Sequence, residues 1–273
     1  LRSVAWLART SGRPDEEGLR ILFYHRVSAE HDELAVTPKK FEAQMNYLVD
    51  EGYQVVDILT ATNLLERGPV PPRTLALSYD DGYLDVAEHA LPILEARGFR
   101  ATVFIAPAVT DGTAAFSWYR SQPPLLGWDE IVDLDQQATL RFEAHSLTHP
   151  ELPHLDEAAA RNEILGSKLA LETRLGRPVE AFSYPSGLFG EREKRLVAEA
   201  GFRAAVSCEP GTNDHRTDRF ALRRRQVDAR DSLLDFRAKV GGGHDSPLPL
   251  RGLYRRLRYG VGTAMPRSAS SLQ

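Results

Sequence analysis

The chain has 273 residues, 42% hydrophobic and 26% charged, which suits an ordinary folded protein with one large α/β barrel or two small domains. A net charge of −4 gives no basic face for nucleic acid, and the runs Arg223-Arg224-Arg225 and Arg251 to Arg258 read as solvated surface. No apolar run approaches the roughly 20 residues that span a bilayer, and a single cysteine, Cys208, excludes an intrachain disulfide.

Residues 1–18 read as an N-terminal extension, too short and too polar at Leu1 to Thr10 for an intact signal peptide. Localisation, cytoplasmic or cell-envelope associated, stays open. From residue 19 to 245 short β-branched or aromatic runs alternate with amphipathic segments, and 246–273 is a polar tail. Leu19 to Tyr24 is a first strand. Thr37 caps a helix with Pro38 at its first position, carried by Phe41, Met45, Leu48 and Val49 and closed by Gly52. Tyr53 to Val56 is a strand and Thr60 to Arg67 a short helix. Thr74 to Tyr79 is a continuous apolar run, as a strand buried on both faces requires.

A helix is predicted over Asp85 to Arg97 and a strand over Ala101 to Ala106. Pro107 to Gly127, with Phe116, Trp118 and Tyr119, is a long functional or mobile loop. Asp129 to Gln136, Thr139 to Glu143, Asp156 to Leu175, Ala181 to Tyr184, Glu191 to Ala200 and Phe202 to Ser207 continue the alternation. Ala204 to Cys208 reads as a buried strand, which makes Cys208 a core thiol rather than a nucleophile. Leu222 to Val227 is the last strand and Ser232 to Val240 the last helix. Seven or eight such repeats predict a single-domain α/β fold, a distorted parallel (β/α) barrel with its chemistry at the C-terminal strand ends.

Three segments fall at those ends. In Ser78-Tyr79-Asp80-Asp81-Gly82, two adjacent acids close a buried strand, and a turn at Gly82 would aim both carboxylates at one site. The competing reading is that Asp81 or Asp85 caps the next helix. In His145-Ser146-Leu147-Thr148-His149-Pro150, a single helical turn would bring both histidines to one metal. Alone the pair is a weak signal. Joined by an acid it makes two His and one carboxylate, a set that leaves positions open for water and substrate. Ser183-Tyr184-Pro185-Ser186-Gly187 offers backbone N–H groups for an oxyanion, or a plain turn.

In this order the segments resemble the NodB-homology polysaccharide deacetylases, carbohydrate esterase family 4, over roughly Leu19 to Val240. The resemblance implies that Asp80 is the base and that Asp81, His145 and His149 hold a divalent metal. Zinc is the default, with cobalt, nickel or iron compatible. The family's Arg-x-Pro-Tyr motif stands here as Ser183-Tyr184-Pro185-Ser186. Ser186 keeps a backbone N–H for the oxyanion, and Arg224 is the candidate replacement for the missing arginine. The first strand ends Tyr24-His25-Arg26, similar to the circularly permuted branch that acts on poly-β-1,6-N-acetylglucosamine, which implies His25 as general acid. His215 and His244 are the next candidates. The implied function is N-deacetylation of an N-acetylglucosamine polysaccharide. The alternatives are a deacetylase or amidase for a small or lipid-linked precursor, and a silent glycan-binding barrel. Trp118, Tyr119 or Trp128 flanking an open groove would favour a polymer.

Overall fold

The computed structural model describes residues 18–242, so the predicted extension up to residue 17, the basic run from Arg251, His244 and the tail lie outside the described residues. Among the described residues ten strands form: β1 Arg20–Tyr24, β2 Arg26–Val27, β3 Ala35–Val36, β4 Gln54–Val56, β5 Thr74–Asp80, β6 Ala101–Ile105, β7 Leu140–Ala144, β8 Ala181–Ser183, β9 Ala204–Val206 and β10 Arg225–Gln226. Eight of them make one parallel sheet in the order β10-β1-β5-β6-β7-β8-β9, with β4 alongside the first half of β5. Leu222 bridges Val206 of β9, and three residues later Arg225 pairs with Leu22 of β1. That crossing curls the sheet into a distorted barrel. It also explains why the strand predicted over Leu222 to Val227 contracts to two residues: its chain leaves one neighbour to reach the other.

Alternation along each strand sorts its residues between two layers. Leu22, Tyr24, Leu77, Tyr79, Val103 and Phe142 pack with Phe41, Met45, Ile164 and Leu196 of the surrounding helices. Ile21, Ala76, Phe104, Ala181 and Val206 form a second cluster with Ile58, Leu59, Ala61 and Leu65, so the helix Ile58–Arg67 plugs the barrel. This helix starts two residues earlier than its periodicity suggests, because the Asp57 carboxylate accepts the Thr60 N–H at 2.9 Å. Ser78 and Asp80 share the parity of Ala76 and face the barrel interior. Because all the strands are parallel, their C-terminal ends open on one mouth.

Two expected helices take other forms. Over Asp85 to Arg97 a π-helical turn, Val86–Ala90, leads into Leu91–Glu95, with the Leu91 N–H donating to the Val86 carbonyl. Pro92 has no N–H for the ordinary bond to Glu88, which favours the wider turn. The His145–His149 segment is no helical turn: Ser146 (φ 59°) and His149 (φ 64°) are left-handed. Pro150 disfavours right-handed helix at the residue before it. The long loop after β6 begins with a short helix, Pro107–Thr110, and packs its own cluster of Tyr83, Val109 and Phe116. Cys208 stands beyond β9, half-buried at the barrel mouth, rather than in the core.

Candidate active site

At the mouth a cavity of about 840 Å³ is lined by residues at the ends of several strands, including His25, Asp80, Asp81, His145 and Ser186. Strand alternation should send Asp80 and Asp81 to opposite faces. Asp81 escapes it with φ 76°, followed by Gly82 at φ 72°, and both carboxylates reach the same cavity. A side chain at Gly82 would meet Ile105 Cγ2 at 2.6 Å, so the turn admits only glycine. A left-handed aspartate is uncommon, and such conformations cluster at functional sites.

Asp81 Oδ1 lies 3.6 Å from His145 Nε2 and 3.7 Å from His149 Nε2. One ligand atom from each of the three lies within 4.8 Å of the others. His145 Nδ1 sits 2.8 Å from the Ser183 carbonyl, which can only accept, so the proton is on Nδ1 and the Nε2 lone pair faces Asp81. Asp81 Oδ1 is buried with no hydrogen-bond partner. Burial, then the neighbouring Asp80 charge, pushes the Asp81 carboxyl well above the usual carboxylate range. Two neutral imidazoles and an orphaned carboxylate oxygen fit a divalent cation.

The loop carrying His149 is held from outside. Glu163, on the helix Glu157–Leu175, accepts the Leu147 N–H at 2.9 Å, the Thr148 N–H at 2.8 Å and the Thr148 hydroxyl at 2.8 Å. Ser146 Oγ accepts the His149 N–H at 3.0 Å. Nothing in the sequence flags Glu163, since it lies on an ordinary helix 14 residues past His149.

Asp80 is not one of the three. Arg224, fully buried, donates to its two oxygens at 2.7 and 2.8 Å, to Ser78 Oγ at 3.0 Å and to Ser183 Oγ at 2.8 Å. The surface reading of the arginine run therefore fails for Arg224, whose cation lies 4.3 Å from the Phe23 ring centroid. Ser183 stands where the resembling motif has its arginine, and its small side chain leaves room for the guanidinium of Arg224, which precedes β10. Burial raises the Asp80 carboxyl, but Arg224 and then His145 outweigh it and hold the pKa at about 2.

His25 follows β1 into the same cavity, its Nδ1 buried without a partner. Burial, with Arg224 and His145 reinforcing it against Asp80, lowers its pKa to about 4, so the resting ring is neutral. Ser186 also lines the cavity, in a left-handed conformation (φ 56°). His215 is exposed on a polar turn away from it. Trp118 stacks on Phe116 at 4.6 Å and stands edge-on to His149 at 4.9 Å, still 45% exposed. Tyr119 lines the cavity as well. Trp128 does not: its indole N–H donates to Asp111 and Arg174 covers its ring.

The site sets a pH dependence for the metal-free fold. Burial first, aided by neighbouring charges, lowers His25 to about 4 and His149 to about 3, and burial lowers His145 too. Below the ordinary histidine value of about 6.5 the unfolded chain takes up these three protons and the native chain does not. The raised Asp81 offsets one of them. The three histidines' contribution to stability is therefore complete above pH 6.5 and is lost as pH falls toward 4 and 3. Thermal midpoints of metal-free protein should drop steadily from pH 7 to pH 4; a flat profile would contradict these shifts.

A family model described as polysaccharide deacetylase matches residues 67–205, about half of the chain, including Asp80, Asp81 and both ligand-type histidines. The chain belongs to the polysaccharide deacetylase family. It is accordingly a hydrolase acting on C–N bonds, in a family that depends on a metal. YxkH of Bacillus subtilis is 28% identical over 210 residues, which cover 77% of this chain and 71% of that protein. The poly-β-1,6-N-acetyl-D-glucosamine N-deacetylase of Staphylococcus aureus is 21% identical over 216 residues, 74% and 72% of the two chains. Among solved structures, the Streptococcus pyogenes deacetylase PplD, in complex with acetate, superposes with a TM-score of 0.72 at 21% identity, covering 82% of this chain and 99% of that one. IcaB from Ammonifex degensii gives 0.70 at 22%, covering 82% and 97%. These superpositions bear out the barrel. No helix of the described residues is long and apolar enough to cross a membrane.

Proposed function

We propose that this deacetylase removes N-acetyl groups from a β-1,6-linked N-acetylglucosamine polymer, with residues 19–245 as the catalytic unit. The observation that carries the reading is the meeting, in one cavity, of the Asp81–His145–His149 cluster, the Asp80–Arg224 pair and a histidine from the first strand. Asp81, His145 and His149 would hold the divalent metal, zinc by ligand type. When bound, it supplies Lewis acidity to the amide carbonyl and to the attacking water.

Asp80, ionised and clamped by Arg224 on both oxygens, takes a proton from that water as its oxygen bonds to the carbonyl carbon. The Ser186 N–H serves the oxyanion. The C–N bond breaks as His25 protonates the departing nitrogen, leaving acetate and a free amine. With a resting pKa of about 4, His25 is not a preformed imidazolium. It takes up a proton from solvent in the cavity as the negative charge of the tetrahedral adduct develops beside it, and Asp80 returns the water's proton to solvent after acetate leaves. Trp118, exposed and beside His149, offers a face for a sugar ring, which favours a glycan over a small amide.

Acetate release should be measured across β-1,6-linked, β-1,4-linked and peptidoglycan-derived N-acetylglucosamine oligomers of equal length. The β-1,6 oligomer should be turned over at least tenfold faster than the others. Faster release from either of the others would overturn the substrate assignment.

A further inference from the structure

We propose that Tyr83 is a positioning residue for the Asp81 ligand, and that Tyr119, Asp32 and Arg26 tie it to the cavity wall formed by residues 28–34. The proposal rests on the metal reading above and deepens it. The Tyr83 hydroxyl donates to Asp81 Oδ2 at 3.2 Å, while Asp81 Oδ1, facing both histidines, has no partner. One oxygen is thereby committed to the protein and the other is left for the ion. A ligand carboxylate fixed in this way is oriented before the ion arrives.

Tyr83 is itself fully buried and gripped on several sides. Its ring meets Tyr119 edge-on at 6.2 Å and Phe116 at 6.0 Å, and the Arg26 guanidinium lies 5.5 Å from its centre. Its backbone bridges Leu125, and the Leu84 N–H donates to the Pro124 carbonyl, which stitches the long loop to the strand end that carries Asp81.

From Tyr119 the hold passes to the wall formed by residues 28–34. The Tyr119 hydroxyl donates to Asp32 at 2.7 Å. Arg26, 3% exposed, donates to Asp32 at 2.9 Å, to Glu30 at 2.7 Å and to Asp85 at 2.7 Å. Residues 28–34 link β2 to β3, so Arg26 pins both the base and the middle of that loop. One continuous set of contacts thus joins the metal ligand to the wall that a glycan would touch. Such a link makes metal affinity and loop order reciprocal.

The test is zinc affinity, measured by competition with a chromophoric chelator, for the wild-type chain and for Tyr83→Phe, Tyr119→Phe and His149→Ala. Phenylalanine keeps each ring and its packing, so only the hydroxyl is lost. Tyr83→Phe should bind zinc about 10–100-fold more weakly, and Tyr119→Phe several-fold more weakly. Zinc should slow amide exchange at residues 28–34 in the wild type, and less so in Tyr119→Phe. A hydroxyl that only supports the fold would lower the metal-free melting temperature and leave affinity unchanged. Wild-type affinity in Tyr83→Phe, with zinc lost in His149→Ala, overturns the positioning role while the metal site stands. A wild-type chain that takes up no zinc overturns the metal reading and this proposal together.

Discussion

Asp80→Asn is expected to lower acetate release by about 10²–10⁴-fold or more while bound metal stays near stoichiometric. Asp80 is outside the cluster of candidate ligands, so metal content should not follow activity. The substitution has a second effect that must be separated from the first. Arg224 is fully buried, and Asp80 is its only carboxylate partner among the described residues. Removing one member of a buried ion pair typically costs about 3–5 kcal/mol, because the other charge is stranded. Asp80→Asn should therefore melt earlier as well as turn over slowly. The double variant Asp80→Asn/Arg224→Met removes both charges and should regain much of the melting temperature without regaining turnover. If metal is lost in step with activity in the single variant, Asp80 is a ligand and its assignment as base is wrong.

His25→Ala should lower amide turnover by about 10²–10⁴-fold with fold and metal content retained. An amine departs poorly without a proton, whereas the phenol of an activated aryl acetate leaves readily. Hydrolysis of that ester should thus suffer far less. The ring is held neutral at rest, so the loss should be felt at the bond-breaking step and not in substrate affinity. Equal losses on amide and ester would assign His25 to positioning instead.

Much of the barrel was legible because its signals are local. The apolar run ending in Asp80 and Asp81 could hardly be anything but a buried strand, and all seven residues of β5 are buried. The Thr37-Pro38 start gave its helix boundary correctly because cap chemistry acts within one turn. The histidine pair was legible as residues but not as conformation. Its loop is shaped by Glu163 from another element, and a helical spacing in sequence says nothing of that. By composition Arg224 looked like part of a charged surface run, and only the family resemblance offered it as the replacement arginine. Its burial follows from Asp80 and Ser183, brought to it only by closure of the sheet. Cys208 was misplaced for a related reason, since β9 stops at Val206 and the chain turns out to the mouth. Tyr83, two residues past a candidate ligand, carried no periodic or motif signal at all. Its position matters through side chains on two distant loops.

A divalent ion at Asp81, His145 and His149 should be required for amide hydrolysis. The decisive measurement is to strip the protein with a chelator, reload it with zinc and follow acetate release from a β-1,6-linked N-acetylglucosamine oligomer. The stripped protein should be inactive, the reloaded protein active, and His149→Ala inactive with or without zinc. Full turnover by the stripped protein, or recovery of His149→Ala on adding zinc at the wild-type concentration, would show that the ion at these residues is not required.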